Sequence, residues 1–151
     1  MQRKPHRAFP RPVRACLAGL VFTFLMASAV PPARAKTDAK EEIHTMINEA
    51  RAESGLARLN QSDQLSRIAR RHSKEMASYG GLFHSSCLTC QIEGGRILGE
   101  NVGFGDDAQV VQEAMMESPP HRAIILGRWR RVGVGIVRQG GLTWVTEIFF
   151  S

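Results

Sequence analysis

Three residues that lie far apart in the sequence, His84, Glu100 and His121, have side chains suited to metal or proton chemistry. Two imidazoles and a carboxylate form the ligand set of several catalytic zinc sites, in which a further position stays open for water or substrate. The same three side chains would equally suit a hydrogen-bonded polar cluster that lines a cleft. The sequence therefore predicts a cleft with these residues, and zinc or another divalent cation as its candidate cofactor.

His121 has the most distinctive local setting of the three. Ser118 suits a helix N-cap and Pro119 the first helical position, which places His121 in the first turn of a short helix. The positive end of the helix dipole disfavours a cation there, so the neutral imidazole is favoured, and this form binds metals or accepts protons. Ser118 and His121 also suggest a nucleophile and its base, but the capping role of the hydroxyl and the lack of an evident orienting acid disfavour that pair.

Glu100 and Asn101 lie between Gly99 and Gly103, where the missing side chains allow neighbouring groups to approach closely. The alternative interpretation of Glu100 is an exposed loop acid. His72, by contrast, lies on the apolar stripe of a predicted helix. It is predicted to be a core histidine with satisfied hydrogen bonds and not a ligand.

Cys87 and Cys90 form a second constellation that could carry chemistry. In an exported chain such a pair is most simply a structural disulfide, here one that closes a very short loop. The alternative is a redox-active pair, because thiol oxidoreductases use this spacing at a helix N-terminus that follows a strand. No helical pattern follows the pair in this sequence, which favours the structural disulfide.

Residues 1–35 have the organisation of an export signal. A basic segment without acids, residues 1–14, precedes an uncharged apolar run over 15–30 and a small-x-small pattern that ends at Ala35. The run is short for a hydrocarbon core of about 30 Å, which disfavours the alternative of a retained membrane anchor. We therefore predict cleavage after Ala35, a secreted or periplasmic location, and no transmembrane span in the mature chain.

Removal of this signal changes both the charge and the cysteine count of the protein. The signal holds six of the 20 basic residues and none of the 14 acidic ones, so 14 of each remain and the mature chain is neutral. Neutrality removes the general argument for a nucleic-acid or anionic-membrane partner, although local patches are compatible with it. Cys16 is discarded with the signal. A flexible lead-in, residues 36–40, and one monomeric domain, residues 41–151, are expected to remain.

Hydrophobic periodicity and turn residues predict the elements that must position these side chains. Between residues 82 and 107 glycine is frequent, and we expect a long structured connection with short strands. The predicted elements are helices after Glu41 up to Gly55, from Ser62 to Tyr79, from Ala108 to Glu117 and from Pro119 to Leu126, and strands over Arg131–Arg138 and Leu142–Phe150 joined by a turn at 139–141.

The last predicted strand is almost continuously apolar or β-branched and does not alternate with polar residues. A strand that is covered on both faces has this composition. The fold class predicted from it is α+β, with helices on both faces of a sheet in a three-layer α-β-α arrangement.

A series of short motifs along the mature chain resembles, in content and in order, the motifs of the CAP superfamily, which is named for cysteine-rich secretory proteins, antigen 5 and pathogenesis-related 1 proteins. The resemblance is to its short bacterial branch in particular. Each motif is short, but together they cover almost the whole mature chain. The matching segments are Ile47-Asn48-Glu49-Ala50-Arg51, Gly55-Leu56, Ala69 to Met76, Phe83-His84-Ser85, Gly99-Glu100-Asn101, Ser118-Pro119-Pro120-His121-Arg122, Val132-Gly133-Val134-Gly135 and Trp144 to Phe149.

The resemblance implies an α-β-α sandwich with a cleft, whose first histidine falls on His84, whose acid falls on Glu100 and whose second histidine falls on His121. Some members bind divalent metal there, and others bind sterols or other lipids elsewhere on the domain. Many eukaryotic members have a second glutamate where this chain has Ser118, and Glu147 stands where glutamine is frequent.

The predicted function is a secreted binding module for a small molecule, a lipid or an extracellular protein, with a cleft suited to a divalent cation. One alternative is a metal-dependent hydrolase in which Glu100 acts as the base on a bound water. The other is a thiol-disulfide protein that works through Cys87 and Cys90.

Overall fold

A computed structural model describes residues 38–92 and 98–151 of the chain. The predicted export signal, its cleavage site after Ala35 and residues 36–37 of the lead-in lie outside the described residues. None of the helices in the described part combines the length and the hydrophobicity that a membrane span requires.

Four helices and four strands make up the described part of the chain. The predicted helices and the C-terminal hairpin are confirmed, whereas the short β1 and the full-length strand β2 within the glycine-rich connection were not placed by periodicity. The elements are α1 (Ala39–Glu53), β1 (Asn60–Gln61), α2 (Asp63–Tyr79), β2 (Leu98–Gly105), α3 (Ala108–Glu117), α4 (Pro119–Ile125), β3 (Arg131–Gln139) and β4 (Leu142–Phe150).

The helix that carries most of the site's packing, α2, has clear start and stop signals. Ser62 is its N-cap, and the Ser62 hydroxyl accepts a hydrogen bond from the backbone N–H of Leu65. Gly80 ends it in the left-handed conformation, with φ of 77°, which a glycine adopts without a steric cost. The helix therefore begins and ends where the sequence indicated.

The strands form one mixed sheet in the order β1-β3-β4-β2. Strands β2 and β3 both pair antiparallel with β4, and the short β1 pairs parallel with the start of β3. Strand β2 is therefore an edge strand. Within it, Glu100 lies opposite Ile148 and Asn101 lies opposite Glu147, so both candidate polar residues lie on an edge strand of the sheet.

Both faces of the sheet are covered, which confirms the three-layer prediction. From Thr143 to Phe149 every residue of β4 is buried. On one face Phe149 belongs to a core cluster with residues of α1 and α3, and on the other Ile148 packs with residues of α2. The continuous apolar composition of β4 follows from contact with helices on both sides.

Glycine makes close contact possible between β3 and α2. A Cβ atom built on Gly135 would lie 2.1 Å from the backbone of Ala69 and Arg70, and one on Gly133 would lie 2.4 Å from the backbone N of Ser66. The Ser73 hydroxyl donates a hydrogen bond of 3.0 Å to the Gly135 carbonyl at this contact. The glycines therefore set the depth at which α2, and with it His72, lies on the sheet.

Cys87 and Cys90 are joined by a disulfide, as the sequence predicted. The bridge lies in a series of turns between α2 and β2, and no helix starts in the described residues between it and β2. Thiol oxidoreductases place such a pair at a helix N-terminus. The geometry of the bridge therefore favours a structural role in shaping the connection next to His84.

Candidate functional site

Glu100 lies on the face of β2 that meets α2. Its neighbours on the same face, Leu98 and Val102, pack with residues of α2 and β4. The opposite face of β2 meets the other layer, since a Cβ on Gly99 would touch Ile124 next to the end of α4. Residues 100 and 101 therefore point into different layers, because side chains alternate along a strand.

The Glu100 carboxylate is almost completely buried and accepts three hydrogen bonds. Its side chain is 8% exposed. Ser85 donates twice, from its backbone N to Oε2 at 2.9 Å and from its hydroxyl to Oε1 at 2.6 Å. His84 donates to Oε2 from Nδ1, also at 2.9 Å. The interpretation of Glu100 as an exposed loop acid is wrong, and both carboxylate oxygens are engaged within the protein.

His84 is held through one ring nitrogen and is exposed at the other. Its side chain is 63% exposed. Because a carboxylate only accepts hydrogen bonds, the contact with Glu100 keeps the proton of the neutral imidazole on Nδ1. Nε2 then carries a lone pair that faces outward. An orienting carboxylate on the second nitrogen is the usual arrangement of histidines that bind metals.

His72 supports the same cluster from inside. It is 4% exposed, and its Nε2 lies 2.8 Å from the Phe83 carbonyl, to which it donates. The same nitrogen is 3.9 Å from Glu100 Oε1, and the rings of His72 and Phe83 meet edge to face. The prediction of a core histidine with satisfied bonds is confirmed, and His72 also fixes the backbone that precedes His84.

Asn101 connects β2 to the helix that carries His121. Its side-chain amide donates to the His121 carbonyl at 3.2 Å and to Glu147 Oε2 at 3.0 Å. Asn101 is completely buried, so these bonds form away from water. The start of α4 is thereby tied to the strand that carries Glu100.

Ser118 occupies the N-cap of α4, as predicted, but its hydroxyl does not cap the helix. The expectation that capping uses this hydroxyl is wrong, because its oxygen lies 2.8 Å from Nδ1 of His121. Pro119 and Pro120 begin the helix, and a proline at the first position has no N–H that needs a cap. The contact with Ser118 leaves His121 Nε2 without a hydrogen-bond partner among the described residues.

Of the three predicted residues His84, Glu100 and His121, two are in direct contact and the third is linked to them only indirectly. Glu100 and His84 are in direct contact, and His121 is tied to the same strand through Asn101. No hydrogen bond or ion pair within residues 38–92 and 98–151 joins the His121 ring to the other two. In that part of the chain, no three His, Cys, Asp or Glu side chains are close enough together to hold a metal ion.

Glu147 is a further charged group beneath the site, in the layer of α1 and α3. It is fully buried, and burial raises the pKa of its carboxyl to about 7, an effect only partly offset by the hydrogen bond from Asn101. Its Oε1, the Asn101 Oδ1 and both side-chain polar atoms of Gln112 are buried without a partner in the described residues. The Glu147 carboxylate is therefore poorly satisfied when it is ionised, because the hydrogen bond from Asn101 reaches only Oε2.

Sequence reasoning did not assign roles to Ser85 and Glu147. Ser85 directly follows His84 in the motif Phe83-His84-Ser85, so adjacency was a usable signal for a second donor. Glu147 lies within an otherwise apolar strand, and one acid in such a strand marks a buried carboxylate. Its pairing with Asn101 depends on the register of β2 against β4, which sequence periodicity does not define.

A family model described as CAP, the cysteine-rich secretory protein family, matches residues 44–149 of the chain. The match includes every residue of the cluster around Glu100, as well as Ser118 and His121. Among curated proteins, a sequence search finds no significant match.

Several solved structures, in contrast, have the same fold as this chain. An outer surface protein of Borrelia burgdorferi superposes with a TM-score of 0.68 at 15% identity, covering 76% of this chain and 93% of that one. An extracellular protein with an SCP domain from Bacillus anthracis gives 0.66 at 22% identity, covering 74% of this chain but only 40% of that one. NaASP2, solved with Zn²⁺, gives 0.60 at 13% identity, covering 79% of this chain and 82% of that one. At these identities the likeness establishes the fold.

Proposed function

The chain belongs to the CAP, or cysteine-rich secretory protein, family, and from that premise we propose that it is an exported binding module whose cleft, at the margin of β2, takes a divalent cation through His84 and His121. The module would present this cleft to a small molecule, a lipid or an extracellular protein. An extracellular protein and an outer surface protein among its structural neighbours, and the export signal expected over residues 1–35, support a location outside the cytoplasm.

The observation that carries the proposal is the state of the His84 ring. Glu100 accepts the hydrogen bond from Nδ1 at 2.9 Å, which leaves Nε2 free. Ser85 restrains the Glu100 carboxylate, and His72 restrains the Phe83 backbone next to His84. A histidine that is fixed in this way needs little reorganisation to donate its lone pair. A solvated imidazole on a mobile side chain would lack this preorganisation.

The donor atoms fit an open site with two nitrogen ligands better than a closed site with three protein ligands. Nε2 of His84 and Nε2 of His121 are free of hydrogen bonds in the described residues, whereas both oxygens of Glu100 are occupied. Glu100 would therefore orient His84 and not coordinate the ion. Zinc bound there would supply a Lewis-acidic position with sites open to water or to a ligand.

Zinc binding to the purified mature protein tests this proposal by isothermal titration calorimetry. We expect one zinc ion per chain, and at least tenfold weaker binding after His84→Ala or His121→Ala, because each change removes one of two protein ligands. Glu100→Gln is expected to weaken binding roughly tenfold, because the carboxylate orients the ligand and raises its basicity.

His44→Gln is the matched control, since it removes an imidazole of α1 that is bonded to the Leu59 carbonyl and not to the residues of the cleft. Its zinc affinity should equal that of the unmodified protein. Equal zinc uptake by the His84→Ala/His121→Ala double variant and the unmodified protein would exclude these residues as the site.

The hydrolase alternative requires Glu100 to take a proton from a bound water. Both oxygens of this carboxylate already accept hydrogen bonds from Ser85 and His84. These bonds engage both oxygens with groups of the protein, and not with a bound water. We therefore expect a library of peptides and esters to show no turnover that a chelator abolishes. Chelator-sensitive turnover that is lost in Glu100→Gln would instead establish an enzyme.

A further inference from the structure

A cavity of about 450 Å³ lies where α1 ends and the chain leaves α4. Arg51, Arg128 and Arg130 line it together with Gly127, Trp129 and Ser151, and no aspartate or glutamate side chain is among its lining residues. None of the residues around His84 and Glu100 contributes to it. The cavity is therefore a second concave site with a strongly positive lining in a domain whose predicted mature chain is neutral.

Arg51 is the most unusual group in this cavity, because it is a charged side chain only 2% exposed. Its Nε donates to the Ala57 carbonyl at 3.0 Å, and its Nη1 donates to the carbonyls of Ile125 and Gly127 at 2.7 and 2.8 Å. Three bonds to backbone atoms on two segments fix the plane of the guanidinium. Nη2 has no hydrogen bond in the described residues, and Arg51 is one of the residues that line the cavity.

The charge of Arg51 has no counter-ion in the described structure. No carboxylate lies within ion-pair distance of it in residues 38–92 and 98–151, and burial lowers the pKa of its guanidinium. Buried charges are normally paired, because removal from water without a partner is costly. Two further cations, Arg128 and Arg130, line the same cavity and are accessible to solvent. Their positive charges further favour an anion over a neutral ligand in the cavity.

We propose that this cavity binds a phosphate-class oxyanion, with the Nη2 of Arg51 as its fixed donor and Arg128 and Arg130 as mobile cations that close over it. Three positive charges without an acid favour a dianionic group over a single carboxylate. Guanidinium groups match the geometry of phosphate oxygens. The same chemistry is offered by inorganic phosphate and by the headgroup of an anionic phospholipid.

Titration with inorganic phosphate, at an ionic strength held constant with sodium chloride, tests the site through protein thermal stability and tryptophan fluorescence. Trp129 lies in the cavity lining, so its emission reports occupancy there. We expect saturable binding that sulfate competes with and chloride does not. Binding should weaken roughly tenfold or more in Arg128→Gln/Arg130→Gln, which removes two charge-assisted contacts.

Arg67→Gln/Arg70→Gln is the matched control, because it removes the same number of exposed arginines from a different basic cavity on α2, which contains no buried guanidinium. Phosphate binding that Trp129 reports should stay within about twofold of the unmodified protein, because Arg67 and Arg70 do not line the Arg51 cavity and act on it only through the screened general field. Equal loss in both double variants, or an equal response to chloride, would show general charge screening and overturn the site.

Arg51→Lys tests the contribution of Arg51 to phosphate binding separately from that of Arg128 and Arg130. Lysine keeps the charge but cannot reproduce the three carbonyl bonds together with a free Nη2, so weaker phosphate binding in a folded variant is expected. If Arg51→Lys does not fold, the Arg128→Gln/Arg130→Gln result decides alone.

Vesicles of phosphatidylcholine with and without phosphatidic acid distinguish the two sources of phosphate. Co-sedimentation that requires phosphatidic acid, and that Arg128→Gln/Arg130→Gln abolishes, identifies a lipid headgroup as the ligand. Saturable binding of inorganic phosphate without co-sedimentation identifies a soluble phosphate ligand. Failure of both measurements in the unmodified protein would refute the proposal and leave the zinc cleft unaffected.

Discussion

Glu147→Gln is expected to stabilise the protein by about 3 kcal/mol above pH 7 and to have little effect below about pH 4.5. The reason is that Glu147 is fully buried, and burial raises the pKa of its carboxyl from 4.5 to about 7. The substituted side chain would keep an oxygen for the Asn101 amide and would not carry a charge. Urea unfolding of both proteins between pH 4 and 8 measures the difference.

The sign follows from proton binding in the two states. Between pH 4.5 and 7 the unfolded chain has lost the Glu147 proton while the native state retains it, so the contribution of this group to stability falls as the pH rises. Above pH 7 both states are ionised, and the native state carries the full cost of a buried carboxylate with an unpartnered Oε1. The stability curves of the two proteins should therefore diverge through this window and run parallel above it.

Glu49→Gln is the control, because Glu49 is exposed on α1 and water solvates its carboxylate in the folded and unfolded protein. Its stability should follow the unmodified protein to within about 0.5 kcal/mol at each pH. A difference between Glu147→Gln and the unmodified protein that does not change between pH 4 and 8 would contradict the assignment of a buried, uncompensated carboxyl to Glu147.

Gly135→Ala is expected to destabilise the protein by about 3 kcal/mol or more, near the upper end of the range for overpacking. The added Cβ would lie 2.1 Å from the backbone C of Ala69 and N of Arg70, and a helix backbone cannot move aside as a side chain can. The helix α2 would have to shift away from β3, which also strains the hydrogen bond from Ser73 to the Gly135 carbonyl. Thermal or urea unfolding at one pH measures the loss.

Gly81→Ala is the matched control. A Cβ there would meet only the ring of Tyr79 at 3.3 Å, and Tyr79 is 79% exposed and free to rotate away. Gly81 does not have a positive φ, so alanine can take its conformation. We expect a change within about 0.5 kcal/mol. Equal stability of the two alanine variants would mean that β3 and α2 are not in close contact.

Sequence patterns were sufficient for the parts of this fold that depend on local chemistry. The caps Ser62 and Gly80 mark the ends of α2, and the apolar run of β4 indicated a strand covered by helices on both sides, as the structure confirms. These signals are local, because a cap or a strand face depends on residues within a few positions of each other. Strand β2 was missed because its glycines interrupt the alternation that marks a strand.

The candidate site could be predicted only as a set of residue types. His84, Glu100 and His121 were proposed from their chemistry and from the resemblance to a family, but no pattern indicated which atoms are free. In the structure Ser85 and His84 occupy both oxygens of Glu100, and the hydroxyl of Ser118 contacts the His121 ring instead of capping α4. The role that we propose for Glu100 is therefore to orient His84, and not to act as a ligand or a base.

The sequence alone was enough to predict the four helices, the C-terminal hairpin, the three layers and the resemblance to the family, since each follows from periodicity, capping and ordered motifs along one chain. Only the tertiary structure decided that the buried charged groups Glu147 and Arg51 have no counter-ion among the described residues. It also decided which imidazole nitrogens of His84 and His121 are free of hydrogen bonds there. The physical reason is that the cost of a charge depends on every group within a few ångströms of it. For Glu147 the nearest such group is Asn101 of β2, and for Arg51 they include the carbonyls of Ile125 and Gly127 at the end of α4, which lie far from these residues along the chain and which only the packed layers bring together.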